Sequence, residues 1–243
     1  MDYYIIDNNV DFIFTRNITV SYQKHIHSSM YVAGIVLSGT VHLWMDSSEK
    51  IYRENDYFII SPYTVHSVEI KESDTCMLTM SIKEEFLKSH QQQGISPVLN
   101  KLDTMKEKGL LKEKDIRKVR LAYTDLLKQY GRDHISFSEE IEITRKRITA
   151  CPEEHFDMNF LAEEAHFSKY HFIRRFTKSI GMSPHRYQVL NRVRKAQKLL
   201  QGGSSVAKAA VETGFYDQSH FIKAFRQIVG ITPQEYRRST HFL

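Results

Sequence analysis

The residues best suited to chemistry are histidines, of which the chain has 12. His25 and His27 stand two positions apart, and His66 follows the turn at Ser61-Pro62. Imidazoles are donors for a divalent transition metal. Residues two apart share a face when the backbone is extended, so His25 and His27 are candidates for one interior surface. Tyr31 and Trp44 add aromatic area of the kind that lines small-molecule pockets. Each of these five residues serves equally well as core filling. His171 and His220 each precede a phenylalanine and suit either a phosphate contact near a helix start or a structural role. The two cysteines, Cys76 and Cys151, match no metal spacing and suit a reducing compartment. The sequence offers no Ser/His/Asp ordering, no Gly-rich phosphate loop and no carboxylate pair in a supporting context. No catalytic residue is assigned, and an enzyme is not expected.

These groups need a scaffold, and the sequence implies two kinds. The segments 12–14, 18–22, 31–37, 40–45, 57–60, 64–70 and 76–82 are short and rich in β-branched and aromatic residues. Turn residues separate them at Ser38-Gly39, Asp46-Ser47-Ser48, Ser61-Pro62 and Ser73-Asp74. Such spacing predicts an antiparallel barrel or sandwich. From Lys112 to Tyr130, Ile116, Val119, Tyr123, Leu126, Leu127 and Tyr130 recur at helical steps with near-heptad spacing. That stripe predicts a helix that pairs with its copy in a dimer or packs on its own barrel. A polar stretch, 131–138, predicts a linker, and from about 139 the chain reads as helical. Charge divides at the same place. Residues 141–243 hold 17 Lys and Arg against 9 Asp and Glu, while 1–140 hold 17 against 20, which together give the overall +5. A basic C-terminal part suits a polyanion partner, or is simply a solvated surface. The N-terminus carries acids where a signal peptide has a basic region, and no run of about 18 apolar residues exists. A cytoplasmic location without a membrane span is therefore expected.

The C-terminal part contains a repeat. His171-Phe172-Ile173-Arg174-Arg175-Phe176 matches His220-Phe221-Ile222-Lys223-Ala224-Phe225 at an offset of 49, and Gly181, Pro184 and Tyr187 match Gly230, Pro233 and Tyr236. Upstream, Leu161-Ala162 and Ala165 match Val206-Ala207 and Ala210 at an offset of 45, which predicts four extra residues in the second turn. Each copy reads as short helix, turn, second helix, then Gly-x-Ser/Thr-Pro. At about 100° per residue, Phe172 and Phe176 face one way and Tyr170, Ile173, Arg174 and Thr177 the other. In the second copy Phe221 and Phe225 face inward, and Ser219, Ile222, Lys223 and Arg226 outward. One amphipathic surface helix would give that pattern without function. Two copies, each with an isoleucine in the outer stripe, suit insertion into a major groove about 12 Å wide.

Segment 214–238, GFYDQSHFIKAFRQIVGITPQEYRR, resembles the signature of AraC/XylS-family regulators. Segment 161–187 resembles that family's first helix-turn-helix, and 191–201, NRVRKAQKLLQ, its linker helix. The resemblance implies base-contacting positions at Lys169, Tyr170, Ile173 and Arg174, and at Gln218, Ser219, Ile222 and Lys223. It also sets Ala209 where the family has a larger apolar residue. HIHSSMY (25–31) with SPYTVH (61–66) resembles the cupin barrel that often precedes such a pair. Catalytic cupins add a Glu where Tyr31 stands, so metal binding ranks below an organic-ligand pocket, and neither metal nor cofactor is assigned.

The expected fold is α+β and multidomain: a cupin-like β-barrel sensing domain (1–83), a helical dimerisation segment (84–138) and an all-α DNA-binding domain with two helix-turn-helix units (139–243). The expected function is sequence-specific transcription regulation, such as activation, with double-stranded DNA as partner and a small-molecule effector at His25, His27, Tyr31, Trp44 and His66. A homodimer is expected, and RNA polymerase is a candidate partner. The alternatives are a metal-dependent cupin enzyme fused to a DNA-binding module and a regulator that answers to a protein partner.

Overall fold

A computed structural model of the chain describes residues 1–6, 9–45, 48–90, 97–133 and 136–242. They fall into two units, Met1–His134 with Ser239–Leu243, and Ile135–Arg238. Asp46 and Ser47 of the expected turn, and positions 134 and 135 of the expected linker, lie outside the described residues.

In the first unit, strands β1 (Asp2–Ile6), β2 (Val10–Arg16), β3 (Val20–His25), β4 (Met30–Ser38), β5 (Thr40–Met45), β6 (Ser48–Arg53), β7 (Tyr57–Ile60), β8 (His66–Ile70) and β9 (Cys76–Lys83) form two sheets. One has the order β10-β1-β2-β9-β4-β7, where β10 is Thr240–Phe242 from the end of the chain, and the other β3-β8-β5-β6. Among the described residues no sheet closes on itself, so the expected barrel is two separate sheets. The strand period of two explains the arrangement. On β4, Val32 and Val36 join Val41, Leu43, Phe58, Ile60, Val68, Ile70 and Met77 in one core. Tyr31, Ala33 and Ile35, of opposite parity, join the core on the other side of the same strand. Gly34 makes room between them: a Cβ there would lie 2.1 Å from the Phe58 ring. Three strands escaped the sequence reading: β10 lies in the part expected to be all-α and instead pairs parallel with β1. β6, SEKIYR, is an exposed edge without apolar alternation, and β1 is a short terminal run.

Helices α1 (Glu84–His90), α2 (Pro97–Glu107) and α3 (Glu113–Tyr130) contribute to the second core. Here the dimer expectation for the α3 stripe needs correction. Ile116, Val119 and Leu126 are at most 2% exposed, and they bury against β2, β4 and β9 of their own unit. Tyr130 closes edge-on over Tyr31, ring centroids 5.6 Å apart. A sheet face of Val10, Phe12, Phe14 and Leu78 supplies the apolar cover that a partner helix would otherwise give. The stripe is not available to a second chain.

The second unit is helical: α4 (Glu139–Ala150), α5 (Met158–Glu164), α6 (Lys169–Ile180), α7 (Pro184–Gln201), α8 (Val206–Glu212), α9 (Gln218–Val229) and α10 (Pro233–Ser239). Proline begins α7 and α10, where its missing N–H costs nothing. Helices α6 and α9 end on Gly181 and Gly230 at φ 86° and 91°, a left-handed conformation that favours glycine. The central helix α7 packs against α4, α6, α8 and α9.

Candidate nucleic-acid interface and histidine cluster

The repeat is reproduced as two copies of one aromatic core. Phe172, Phe176 and Tyr187 stack in sequence with centroids 5.9 and 5.7 Å apart, and Phe221, Phe225 and Tyr236 do so at 5.6 and 5.4 Å. All six side chains are at most 1% exposed. The buried tyrosine hydroxyls are satisfied in parallel, by Thr149 at 3.0 Å and by Gln201 at 2.5 Å.

The upstream register differs from the expected one. Helices α5 and α8 superpose at an offset of 48, not 45. Leu161 and Ala162 share burial with Ala209 and Ala210, and Asp157 and Ser205 are the two N-caps. His166 (φ 56°) and Gly214 (φ 76°) hold the equivalent left-handed turn position. The second turn therefore carries one extra residue rather than four. That residue is Tyr216, 98% exposed, immediately before the α9 N-cap Asp217, whose carboxylate accepts from His220 N at 2.7 Å.

With both helices pinned by their phenylalanines, the opposite faces reach solvent. Lys169, Tyr170, Arg174, Gln218, Ser219 and Lys223 are exposed, while Ile173 and Ile222 are half-buried. On α6, His171, Arg174, Arg175 and Lys178 form a basic stripe at steps of three, one and three that lines a groove of about 460 Å³. Arg175 and Lys178 were absent from the sequence-derived set, although their spacing from His171 was there to be counted. His171 stacks on Phe167 at 4.9 Å, and His220 meets Phe215 edge-on at 5.4 Å, so both imidazoles also have structural partners.

Sequence reasoning missed the residue that ties the copies together. Arg192 on α7 donates to the carbonyls of Pro152 (2.7 Å), Glu154 (3.1 Å) and Glu153 (3.4 Å), and to Gly214 O (2.6 Å). It thus joins the α4–α5 connection to the α8–α9 turn. Gln188 reinforces the first contact through Pro152 O and Glu154 O at 3.0 and 2.6 Å.

In the first unit, three of the five candidate ligand residues converge and two do not. His25 and His66 are cross-strand partners after a register shift between Tyr22 and His25. His27 joins them from the following loop, held by Tyr63 N donating to His27 O at 2.8 Å. The ring centroids lie 4.2, 4.9 and 5.0 Å apart, and one ring nitrogen from each is within 4.8 Å of the others. His25 Nδ1 and His66 Nδ1 sit 2.8 and 2.9 Å from the Gln23 and Thr64 carbonyls. A carbonyl only accepts, so Nδ1 of each of these two rings carries a proton. Burial, helped by neighbouring His25, pulls the His66 imidazole down to about 4, so it is neutral at pH 7. Such a set fits a divalent metal of imidazole preference. Tyr31 instead lies in the helix-side core with its hydroxyl donating to Asp133 at 3.0 Å. Trp44 has the opposite parity to the core residues Val41 and Leu43 on β5 and stacks on His42 at 5.9 Å. Strand alternation therefore removes both aromatics from the expected shared pocket.

Residues 161–239 match the family described as helix-turn-helix domain, and residues 19–82 the cupin domain. Over 227 residues the chain is 28% identical to the HTH-type transcriptional regulator YbfI of Bacillus subtilis, covering 84% of this chain and 82% of that protein. The chain thus joins a cupin domain to a helix-turn-helix domain. Two structures of ToxT from Vibrio cholerae share the fold of this chain. The form with bound unsaturated fatty acid gives a TM-score of 0.60 at 15% identity, over 94% of this chain and 93% of ToxT. A second crystal form gives 0.63 at 13% identity, over 95% and 98%. No described helix of the chain is long and apolar enough to cross a membrane.

Proposed function

We propose that this AraC-type regulator reads two successive major-groove segments of double-stranded DNA with α6 and α9, and that Lys169, Tyr170, Ile173, Arg174, Gln218, Ser219, Ile222 and Lys223 make the base-edge contacts. The carrying observation is the duplicated aromatic core beneath two outward faces, with all eight residues exposed or half-buried. Arg174 has the reach for a bidentate contact to guanine, and Gln218 for one to adenine. The basic stripe through Arg175 and Lys178 supplies phosphate affinity. The described work of the chain is binding rather than catalysis. Residues 1–83, with the C-terminal strand β10, act as sensor, 84–138 as the helical cover of that sensor, and 139–238 as the DNA reader. A small molecule at the sensor alters DNA binding by preferring one arrangement of the chain, an idea supported by the fold shared with ToxT, whose structure holds a fatty acid. Pairing of two chains and contact with RNA polymerase complete the reading, with pairing through a surface other than the α3 stripe.

Selection of duplexes from a random pool by the full-length protein tests the core of it. Recovered sites should contain two recurring elements about one helical turn, roughly 34 Å, apart. Binding to the best of them should fall steeply with salt. Recovery of a single element, or of none above background, overturns the two-helix reading.

A further inference from the structure

We propose that Tyr216 holds the DNA backbone at the rim of the groove that α9 enters, its ring against a deoxyribose and its hydroxyl donating to a phosphate. The proposal rests on the reading that α9 docks on double-stranded DNA, and it adds a contact outside the eight face residues. Tyr216 is 98% exposed and Tyr170 86%, which makes them the two most exposed large apolar side chains among the described residues. Both stand at the start of a reading helix, Tyr170 as the second residue of α6 and Tyr216 immediately before the N-cap of α9. A single exposed apolar residue is ordinary on a protein surface. Two at the same end of duplicated helices, ahead of every other such residue, call for a common cover.

The turn aims the ring outward and keeps it there. Phe215 is buried with its ring 5.1 Å from that of Phe221, and Gly214 O accepts from Arg192 at 2.6 Å. On the other side the Asp217 carboxylate caps α9 by accepting from His220 N at 2.7 Å. Neighbours held inward on both sides leave Tyr216 no face but solvent. A rigid stalk also lowers the entropy lost when the side chain is bound. The first copy shows that the turn closes without this residue. There His166 and Phe167 lead directly to the N-cap Ser168, whereas Gly214 and Phe215 are followed by Tyr216 and only then by the N-cap Asp217. Tyr216 is thus an insertion with no part in the core. The repeat also relocates the exposed tyrosine: Ser219 in α9 holds the position of Tyr170 in α6, and the ring reappears three positions nearer the turn. That shift decides what it meets. The first residues of a recognition helix face base edges, so the chain just before them stands at the rim of the groove, beside the sugar–phosphate strand. A tyrosine hydroxyl is one of the donors that bind phosphate, and such contacts fix register without reading sequence. The inserted contact sets the seating of α9 and leaves the choice of bases to the helix face.

Binding of the full-length protein to a duplex recovered by selection tests this, with each element scrambled in turn. Tyr216→Ala should keep the Tm of wild type and weaken binding by roughly tenfold, while Tyr216→Phe, which loses only the hydrogen bond, should weaken it roughly threefold. The factor should be the same on the selected duplex and on one with the α9 element scrambled, because the backbone is common to both. The salt slope should not change, since a phenol brings no positive charge, whereas loss of a lysine–phosphate contact lowers it by about one. Ethylation of single phosphates should interfere at one position beside the α9 element for wild type and not for Tyr216→Phe. Wild-type affinity in folded Tyr216→Ala overturns the proposal and turns Tyr216 toward a protein partner. A loss confined to one base pair makes Tyr216 a base reader and overturns the backbone assignment. Lys223→Ala separates this contact from the reading beneath it. If Lys223→Ala binds weakly and Tyr216→Ala as wild type, the Tyr216 contact alone falls; if neither variant loses affinity, the docking of α9 falls with it.

Discussion

Replacing Arg192 by alanine removes one guanidinium from four backbone carbonyls. The two shortest bonds, to Pro152 O at 2.7 Å and Gly214 O at 2.6 Å, are partly buried, whereas the bond to Glu154 O at 3.1 Å is exposed and open to water. A hydrogen bond from a charged donor contributes about 1.5–3 kcal/mol net, so the two short bonds alone set a loss of about 3 kcal/mol. For a unit of about a hundred residues that is a fall in Tm of roughly 12 °C or more. The consequence for DNA is asymmetric. Arg192 reaches the turn before α9 directly through Gly214 O and the first copy only through the α4–α5 connection, while the pairs Phe172/Phe176 and Phe221/Phe225 pin both helices alike. Arg192→Ala should lose most of its affinity on the element read by α9 and little on the element read by α6. Thermal unfolding, with binding to duplexes in which one element at a time is scrambled, separates the two. Arg192→Lys should recover less than half of the stability, because an ammonium is a point donor and not a planar fork. A folded Arg192→Ala protein within about 0.5 kcal/mol of wild type, or equal losses on both elements, refutes the reasoning.

The two faces of the recognition helices should separate cleanly: Phe176→Ala or Phe225→Ala should cost about 3–5 kcal/mol in chemical denaturation. Arg174→Ala and Lys223→Ala should leave stability within about 0.5 kcal/mol and weaken binding to a selected duplex. If Arg174 reads guanine, its loss is about 1–3 kcal/mol on the true site, and if it meets phosphate the loss is uniform and the salt slope drops by about one. Val119→Asp should unfold the first unit, as seen by circular dichroism, since the residue is 0% exposed in its own core, and a folded monomer would contradict that placement. His166→Gly should stabilise modestly, by up to about 1 kcal/mol, by relieving a left-handed non-glycine residue. Gly214→Ala should destabilise, since its Cβ would lie 2.4 Å from Glu153 O; differential scanning calorimetry reads both.

The aromatic repeat was legible because Phe, Gly, Pro and Tyr recur at one offset with chemically distinctive side chains. The register of the short helices was not. An offset of 45 differs from the observed 48 by three residues, close to one helical turn, so small apolar residues fall on nearly the same face either way. The same blindness affects α3. Helical periodicity states that Ile116, Val119 and Leu126 need cover, and says nothing about whether a sheet or a second chain provides it. The histidines were visible as residue types, but their convergence depends on which strands pair and on a bulge, both non-local. Tyr31 and Trp44 were grouped with them by nearness in sequence, where parity within β4 and β5 decides which face each occupies.

The two copies agree in their cores and differ in their surfaces, and that division bears on mechanism. Phe172–Phe176–Tyr187 and Phe221–Phe225–Tyr236 have centroid separations within 0.3 Å of each other, which sets the two helices on equivalent platforms. Their solvent faces are unalike: α6 presents Lys169, Arg174, Arg175 and Lys178, while α9 presents Gln218, Ser219, Lys223 and Arg226. On the proposed reading, equal platforms let the two helix-turn-helix copies dock alike, and unequal faces let them choose different sequences. A chain built this way can read an asymmetric site by itself, with no need of a symmetric partner to supply the second half. On the same reading, the more basic face of α6 carries more of the phosphate affinity, and Gln218 and Ser219 of α9 more of the base discrimination.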